Sequence, residues 1–186
     1  MKLKLTLSLI VVLSILTTTV SSQTKKGQLA GLHYNMADFN TTSLKDATAG
    51  KGYSNLKDMS KGFSLSYWRG LTSKIDLAVK ANAIFHDYSS IYQGITGKTE
   101  IGVELEPTIN IRPFADAAKL APFATTGIGV GLYNDKIGGY IPAGGGLQLN
   151  FDNLTYIFVQ AQYKFTLTKK VLGDNLFYSI GFAQKF

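Results

Sequence analysis

From Gln28 to the last residue, bulky apolar side chains recur at every second position, in runs separated by polar and glycine-rich segments. A period of two is that of a β-strand with one face out of water, because successive side chains point to opposite faces. The first run, 28–36, sets Ala30, Leu32, Tyr34 and Met36 against Leu29, Gly31, His33 and Asn35. The second, 62–68, sets Phe63, Leu65 and Tyr67 against Gly62, Ser64 and Ser66. The third, 75–86, alternates Ile75, Leu77, Val79, Ala81, Ala83 and Phe85 with Asp76, Ala78, Lys80, Asn82, Ile84 and His86. In the fourth, 100–112, Ile101, Val103, Leu105, Ile109 and Ile111 oppose Glu100, Glu104, Glu106, Asn110 and Arg112. Pro107 interrupts this run and predicts a bulge or kink there, since it cannot donate to a sheet ladder.

The second half of the chain repeats the pattern. A fifth strand over 122–133 places Ala124, Thr126, Ile128, Val130 and Leu132 opposite Phe123, Thr125, Gly127, Gly129 and Gly131. A sixth, 142–151, carries Leu147, Leu149 and Phe151 against Gly144, Gly146, Gln148 and Asn150. After a turn at Asp152-Asn153, a seventh sets Ile157, Val159, Ala161, Tyr163 and Phe165 against Phe158, Gln160, Gln162 and Lys164. The eighth, 176–186, puts Leu176, Tyr178, Ile180, Phe182 and Phe186 on one face and Phe177, Ser179, Gly181, Ala183 and Lys185 on the other. Termini ordinarily fray, so alternation held to a final aromatic points to a strand that closes a barrel.

The fold class expected is therefore all-β, an eight-stranded antiparallel transmembrane barrel closed by pairing its first and last strands. Backbone polar groups left unpaired in hydrocarbon cost several kcal/mol each, so a sheet in lipid must close on itself. The apolar face is almost uniformly Ile, Val, Leu, Phe and Tyr, which suits lipid. The other face is loaded with Gly, Ala and Ser beside a few long charged groups, which suits a narrow, filled lumen. A soluble ligand-carrying barrel of the lipocalin kind has the opposite arrangement, with its apolar face inward. Connections should alternate between short turns on the periplasmic side and longer extracellular loops, the longest being the polar segment 37–60.

The N-terminus agrees with export. Lys2 and Lys4 precede an apolar stretch from Leu5 to Leu16, and Val20 and Ser22 stand at the positions a signal peptidase reads before Gln23. Residues 1–22 are expected to be a signal peptide and 23–186 one barrel domain, with no room for an appended periplasmic module. Removing Lys2 and Lys4 lowers the 19 Lys plus Arg to 17 against 12 Asp plus Glu, a net charge of +5. The lysines are scattered rather than clustered, so nucleic acid is not expected as a partner. With no cysteine in the chain, disulfides and a lipid-modified N-terminal cysteine are excluded.

On the leader ending Val20-Ser-Ser-Gln23, the strand Leu120-Ala-Pro-Phe-Ala-Thr-Thr-Gly-Ile-Gly-Val-Gly131 and the ending Gly181-Phe-Ala-Gln-Lys-Phe186, the chain resembles a known family. It is the small Gram-negative, Bacteroidetes-type outer membrane protein β-barrel domain family, akin to OmpX and the OmpA transmembrane domain. The resemblance covers nearly the whole mature chain. It implies residence in the outer membrane as a monomeric barrel, contact with outer-membrane lipids including lipopolysaccharide, and insertion by the barrel-assembly machinery. For that machinery Tyr178, Ile180, Phe182 and Phe186 of the last strand would be the signal.

The chemistry legible in the sequence is electrostatic rather than catalytic. Lys80, Glu100, Glu104, Glu106, Arg112 and Lys164 all fall on the lumen face, with Lys80 expected near Glu104. They read as a salt-bridged plug, with a gated narrow channel for small solutes as the competing function. His33 and His86 are the chain's two histidines, and neither stands in a Ser-His or Asp-His arrangement, so no enzyme is expected. Gly127-Ile-Gly-Val-Gly131 is followed by no helix and so is not read as a phosphate loop. No cofactor and no metal site is expected. The reading is a structural or surface-interaction protein, with a channel and, behind it, a soluble ligand carrier as alternatives.

Overall fold

The computed structural model describes residues 27–39, 56, 59–87, 99–114, 118–133, 135–152, 154–168 and 173–186. The proposed leader and most of the 37–60 loop lie outside them. The described chain forms nine β-segments: β1 (Gln28–Asp38), β2 (Ser60–Gly70), β3 (Ile75–Asp87), β4 (Thr99–Ile111), β5 (Leu120–Gly127), β6 (Gly129–Tyr133), β7 (Lys136–Asn150), β8 (Thr155–Thr166) and β9 (Asn175–Lys185). β5 and β6 are two halves of one stave between β4 and β7, so the sheet has eight staves. Every pairing is antiparallel, and β1 pairs with β9 from Leu29↔Lys185 to Asp38↔Leu176, which closes the barrel.

The register fixes the shape. Gln28 faces Arg69, which faces Leu77, then Ile109 and Thr126. Ala143, Tyr163 and Leu176 continue the row, and Leu176 faces Asp38. One circuit thus returns ten residues further along β1. For eight staves this stagger sets a strand tilt of about 40° and a backbone radius of about 8 Å. An eleven-residue strand such as β1 then rises about 27 Å along the axis, the height of a membrane barrel's apolar band.

Side chains sort by parity. Leu65, Ile101, Val103, Val130 and Ile180 are among the many apolar groups exposed on the outer face, while His33, Lys80, Glu104, Glu106 and Lys164 are buried inside. The barrel is inside-out relative to a water-soluble one. Three glycines of the inner face have a steric cause: each provides space for a ring on the neighbouring strand. A Cβ at Gly129 would strike the Tyr140 ring, one at Gly146 the Phe123 ring and one at Gly181 the His33 ring. In each case the ring belongs to the residue directly opposite in the register.

Two local expectations are corrected. Pro107 does not insert a bulge: β4 pairs with β5 and β6 in one unbroken register on either side of it. The ladder merely lapses at Ile128, whose N–H donates to the Pro107 carbonyl at 3.2 Å. The sixth strand begins at Lys136 rather than at 142, because the glycine pair Gly138-Gly139 is sheet, not loop. Only two residues separate Tyr133 from Lys136, and Asp135 takes a φ of 59°, the left-handed conformation that tight hairpins use.

Candidate functional site

Among the described residues the lumen gathers the buried charged groups, and it is built in two storeys. At the end where β1 starts and β9 stops, Trp68 stacks on Phe158 with ring centroids 4.4 Å apart. Phe123 meets both rings edge-on at 6.2 Å. Leu29, Ala78, Tyr156 and Ala183 complete this apolar floor. Beside it Arg112 grips Asp76 with two contacts of 3.0 Å, one to each carboxylate oxygen. Both groups are fully buried, so the fork geometry supplies what water would otherwise provide.

Above the floor, a connected polar network crosses from β1 to β8. Asn35 donates to Ser64, Ser64 to Asn82 at 2.6 Å, and Asn82 to Glu104 at 2.8 Å. Lys164 links Glu104 at 2.5 Å to Glu106 at 3.4 Å. Gln162 donates to both Glu106 oxygens, at 2.8 and 3.0 Å, and accepts from Gln160 at 2.6 Å. Lys80 donates to Gln160. Two tyrosines at the opposite wall complete the carboxylates: Tyr133 donates to Glu104, and Tyr140 to Glu106 at 3.1 Å. The Lys164 ammonium also lies over the Phe177 ring at 3.7 Å. Lys80, Arg112 and Lys164 are balanced inside by Asp76, Glu104 and Glu106, all buried. Low dielectric strengthens such bonds and makes any unpaired member costly, so the paired carboxylates and ammonium groups at the network's centre hold one another in place.

The sequence-derived lumen residues are thus brought together only in part. Glu104, Glu106 and Lys164 form the centre, and Lys80 reaches it through Gln160 rather than by pairing with Glu104. The register explains this, since Lys80 stands opposite Glu106 and Asn82 opposite Glu104. Arg112 belongs to a separate pair with Asp76. The backbone of Glu100 pairs with His86 in the ladder, and its side chain lies outside the described residues. Asp76, Tyr133, Tyr140 and Gln160 were not singled out beforehand. Parity alone placed Asp76 and Gln160 on the lumen face, whereas Tyr140 sat in a segment read as loop.

His33 donates or accepts with Ser66 at 2.7 Å through Nε2 and faces Ser179 at 3.4 Å through Nδ1. Both side-chain hydrogen-bond partners among the described residues are serines, so the triad order of a base held by a carboxylate is not formed. Among the described residues no group of three His, Asp or Glu side chains converges as metal ligands would. Of the last-strand residues, Ile180, Phe182 and Phe186 are half or more exposed on the outer face. Phe186 donates its N–H to Gln28 at 3.2 Å and meets Tyr67 at a centroid distance of 6.5 Å.

No protein-family model matches the chain, and no curated protein matches it. Solved structures do. The N-terminal β-barrel domain of Pseudomonas aeruginosa OprF is 13% identical, with 88% of this chain aligned to 100% of that one at a TM-score of 0.58. Neisserial surface protein A is 15% identical over 88% of this chain and 99% of its own, at 0.56. Ail, the attachment invasion locus protein of Yersinia pestis, is 12% identical over 87% and 99%, at 0.54. At these identities the likeness is one of fold: this chain shares the closed barrel of those proteins.

Proposed function

We propose that this chain is an integral outer-membrane barrel with a plugged lumen and a structural or surface-interaction role carried outside the barrel. The observation that carries the reading is the pairing of an apolar outer face with a lumen closed by an aromatic floor and a connected ion-pair network. A protein that must pass solutes gains nothing from stacking Trp68 on Phe158 across its passage. The end bearing the connections 39–59, 88–98, 134–135 and 167–174 faces the outside, and the end bearing the shorter set 71–74, 112–119 and 151–154 faces the periplasm. Loops on a rigid scaffold are where recognition usually resides. Lipopolysaccharide and the assembly machinery are the partners this reading requires, and no catalytic step is part of it.

One observation favours the runner-up, a narrow channel. The Thr108 hydroxyl, the Asn110 amide and the Thr125 hydroxyl are buried on adjoining β4 and β5 without a hydrogen-bond partner among the described residues. Unsatisfied groups so placed are where buried waters sit, and a seam of water is the beginning of a path. Planar-bilayer recording separates the two. The wild-type barrel and Glu104→Gln should both stay at baseline; discrete conductance steps in the wild type would replace the plug with the channel.

A further inference from the structure

The outer face carries a groove of about 650 Å³ that the lumen reading does not use. Its volume falls in the range of ligand sites, roughly 300–1,000 Å³. Its floor follows a single hydrogen-bonded row: Met36 stands opposite Tyr178, Tyr178 opposite Ala161, and Ala161 opposite Gly145. Ala161 and Gly145 are small where their neighbours Ile180, Val159 and Leu147 are large, and that step in size makes the depression. Met59 and Leu56 border its upper end, and two methionines give that end an adaptable lining.

The barrel's stagger gives the row a direction. Passing from β1 through β9 and β8 to β7 descends from the loop end, by about 9 Å over three strands at a tilt of about 40°. One step the other way, the residue opposite Met36 is Lys61 on β2, exposed on the same outer face. The row therefore reads, from the loop end inward, as a cation, a thioether, an aromatic and then two small residues. A lipid has the same order, with an anionic head at the interface and its chain running toward the midplane.

We propose that this row is a binding site for a phosphorylated glycolipid of the outer leaflet, with a phosphate at Lys61 and an acyl chain in the groove over Ala161 and Gly145. The inference rests on the membrane reading above. Each methylene buried contributes about 0.8 kcal/mol, and a lysine near a membrane surface about 1 kcal/mol toward an anionic lipid. A second outer groove of about 270 Å³ over Ala81, Val103 and Leu105 has no lysine in its row and serves as the internal comparison.

Native mass spectrometry of the barrel, refolded in neutral detergent with diphosphorylated lipid A, tests this. Wild type should retain one lipid, and Ala161→Leu, which fills the groove, should cut retention about tenfold or more. Lys61→Gln should cut it about fivefold, while Lys136→Gln and Ala81→Leu should leave it unchanged. A heat-dependent gel shift verifies that each variant is folded. Equal retention by wild type, Ala161→Leu and Lys61→Gln would overturn the site, and equal retention of phosphatidylglycerol would overturn the glycolipid assignment. A wild-type chain recovered in the soluble fraction would instead sink the membrane reading on which the site depends.

Discussion

Lys164 is the residue on which the lumen turns, because among the described residues it alone bridges Glu104 and Glu106. Breaking a buried pair by removing one partner costs about 3–5 kcal/mol, since the other charge is left uncompensated. Lys164→Met leaves two carboxylates without their cation and should fall at about 5 kcal/mol. Glu104→Gln leaves Lys164 with Glu106 and should fall nearer about 3 kcal/mol. Urea midpoints read from the gel shift should therefore rank wild type, Glu104→Gln, Lys164→Met in falling order. The reverse order would mean that Glu106 does not share the lysine. Such an ordering is invisible in the sequence, where Lys164 is one of three lumen cations of equal standing.

At the scale of elements, the turns decide how strands meet. In the turn 151–154 the Asp152 carboxylate accepts from the backbone N–H of Thr155 at 2.5 Å and of Leu154 at 3.0 Å. These donors hold its pKa below the usual carboxylate value, the Thr155 bond being the larger cause. A depressed folded pKa contributes stability that is full above the unfolded value, about 3.9, and is lost as pH falls through the folded one. Unfolding midpoints of wild type should therefore drop on acidification below about pH 4. Asp152→Asn keeps an acceptor oxygen without the titration, so its profile should be flatter over that window. An identical acid dependence in both proteins would remove Asp152 from the account. The motif Asp152-Asn153 was legible as a turn; that its side chain caps the next strand required the coordinates.

For the whole molecule, the question is which solvent the outer face meets. Leu65 on β2 is 66% exposed and lies outside the lipid groove. In water, replacing so exposed a leucine by arginine would change stability by no more than about 0.5 kcal/mol. At the midplane of a bilayer the same change costs about 2–4 kcal/mol. Leu65→Arg, refolded into vesicles and titrated with denaturant, should show the larger loss. An effect near zero would mean that the outer face is not in hydrocarbon, whatever the fold.

The division between sequence and tertiary structure follows from what a period of two can and cannot encode. Alternation assigns each residue to a face, so the all-β class, the number of staves and the inward position of Lys80, Glu104, Glu106, Arg112 and Lys164 were readable along the chain. It says nothing of stagger between strands, because sliding one strand by two residues preserves every face. Stagger was decided only by closure of the sheet, through the ten-residue offset from Gln28 to Asp38. That offset set Asn82, not Lys80, opposite Glu104, brought Lys164 across the lumen, and seated Tyr140 over Gly129 in a segment whose glycines read as loop. It also aligned Lys61 with Met36, Tyr178, Ala161 and Gly145, residues from five strands that no local pattern connects.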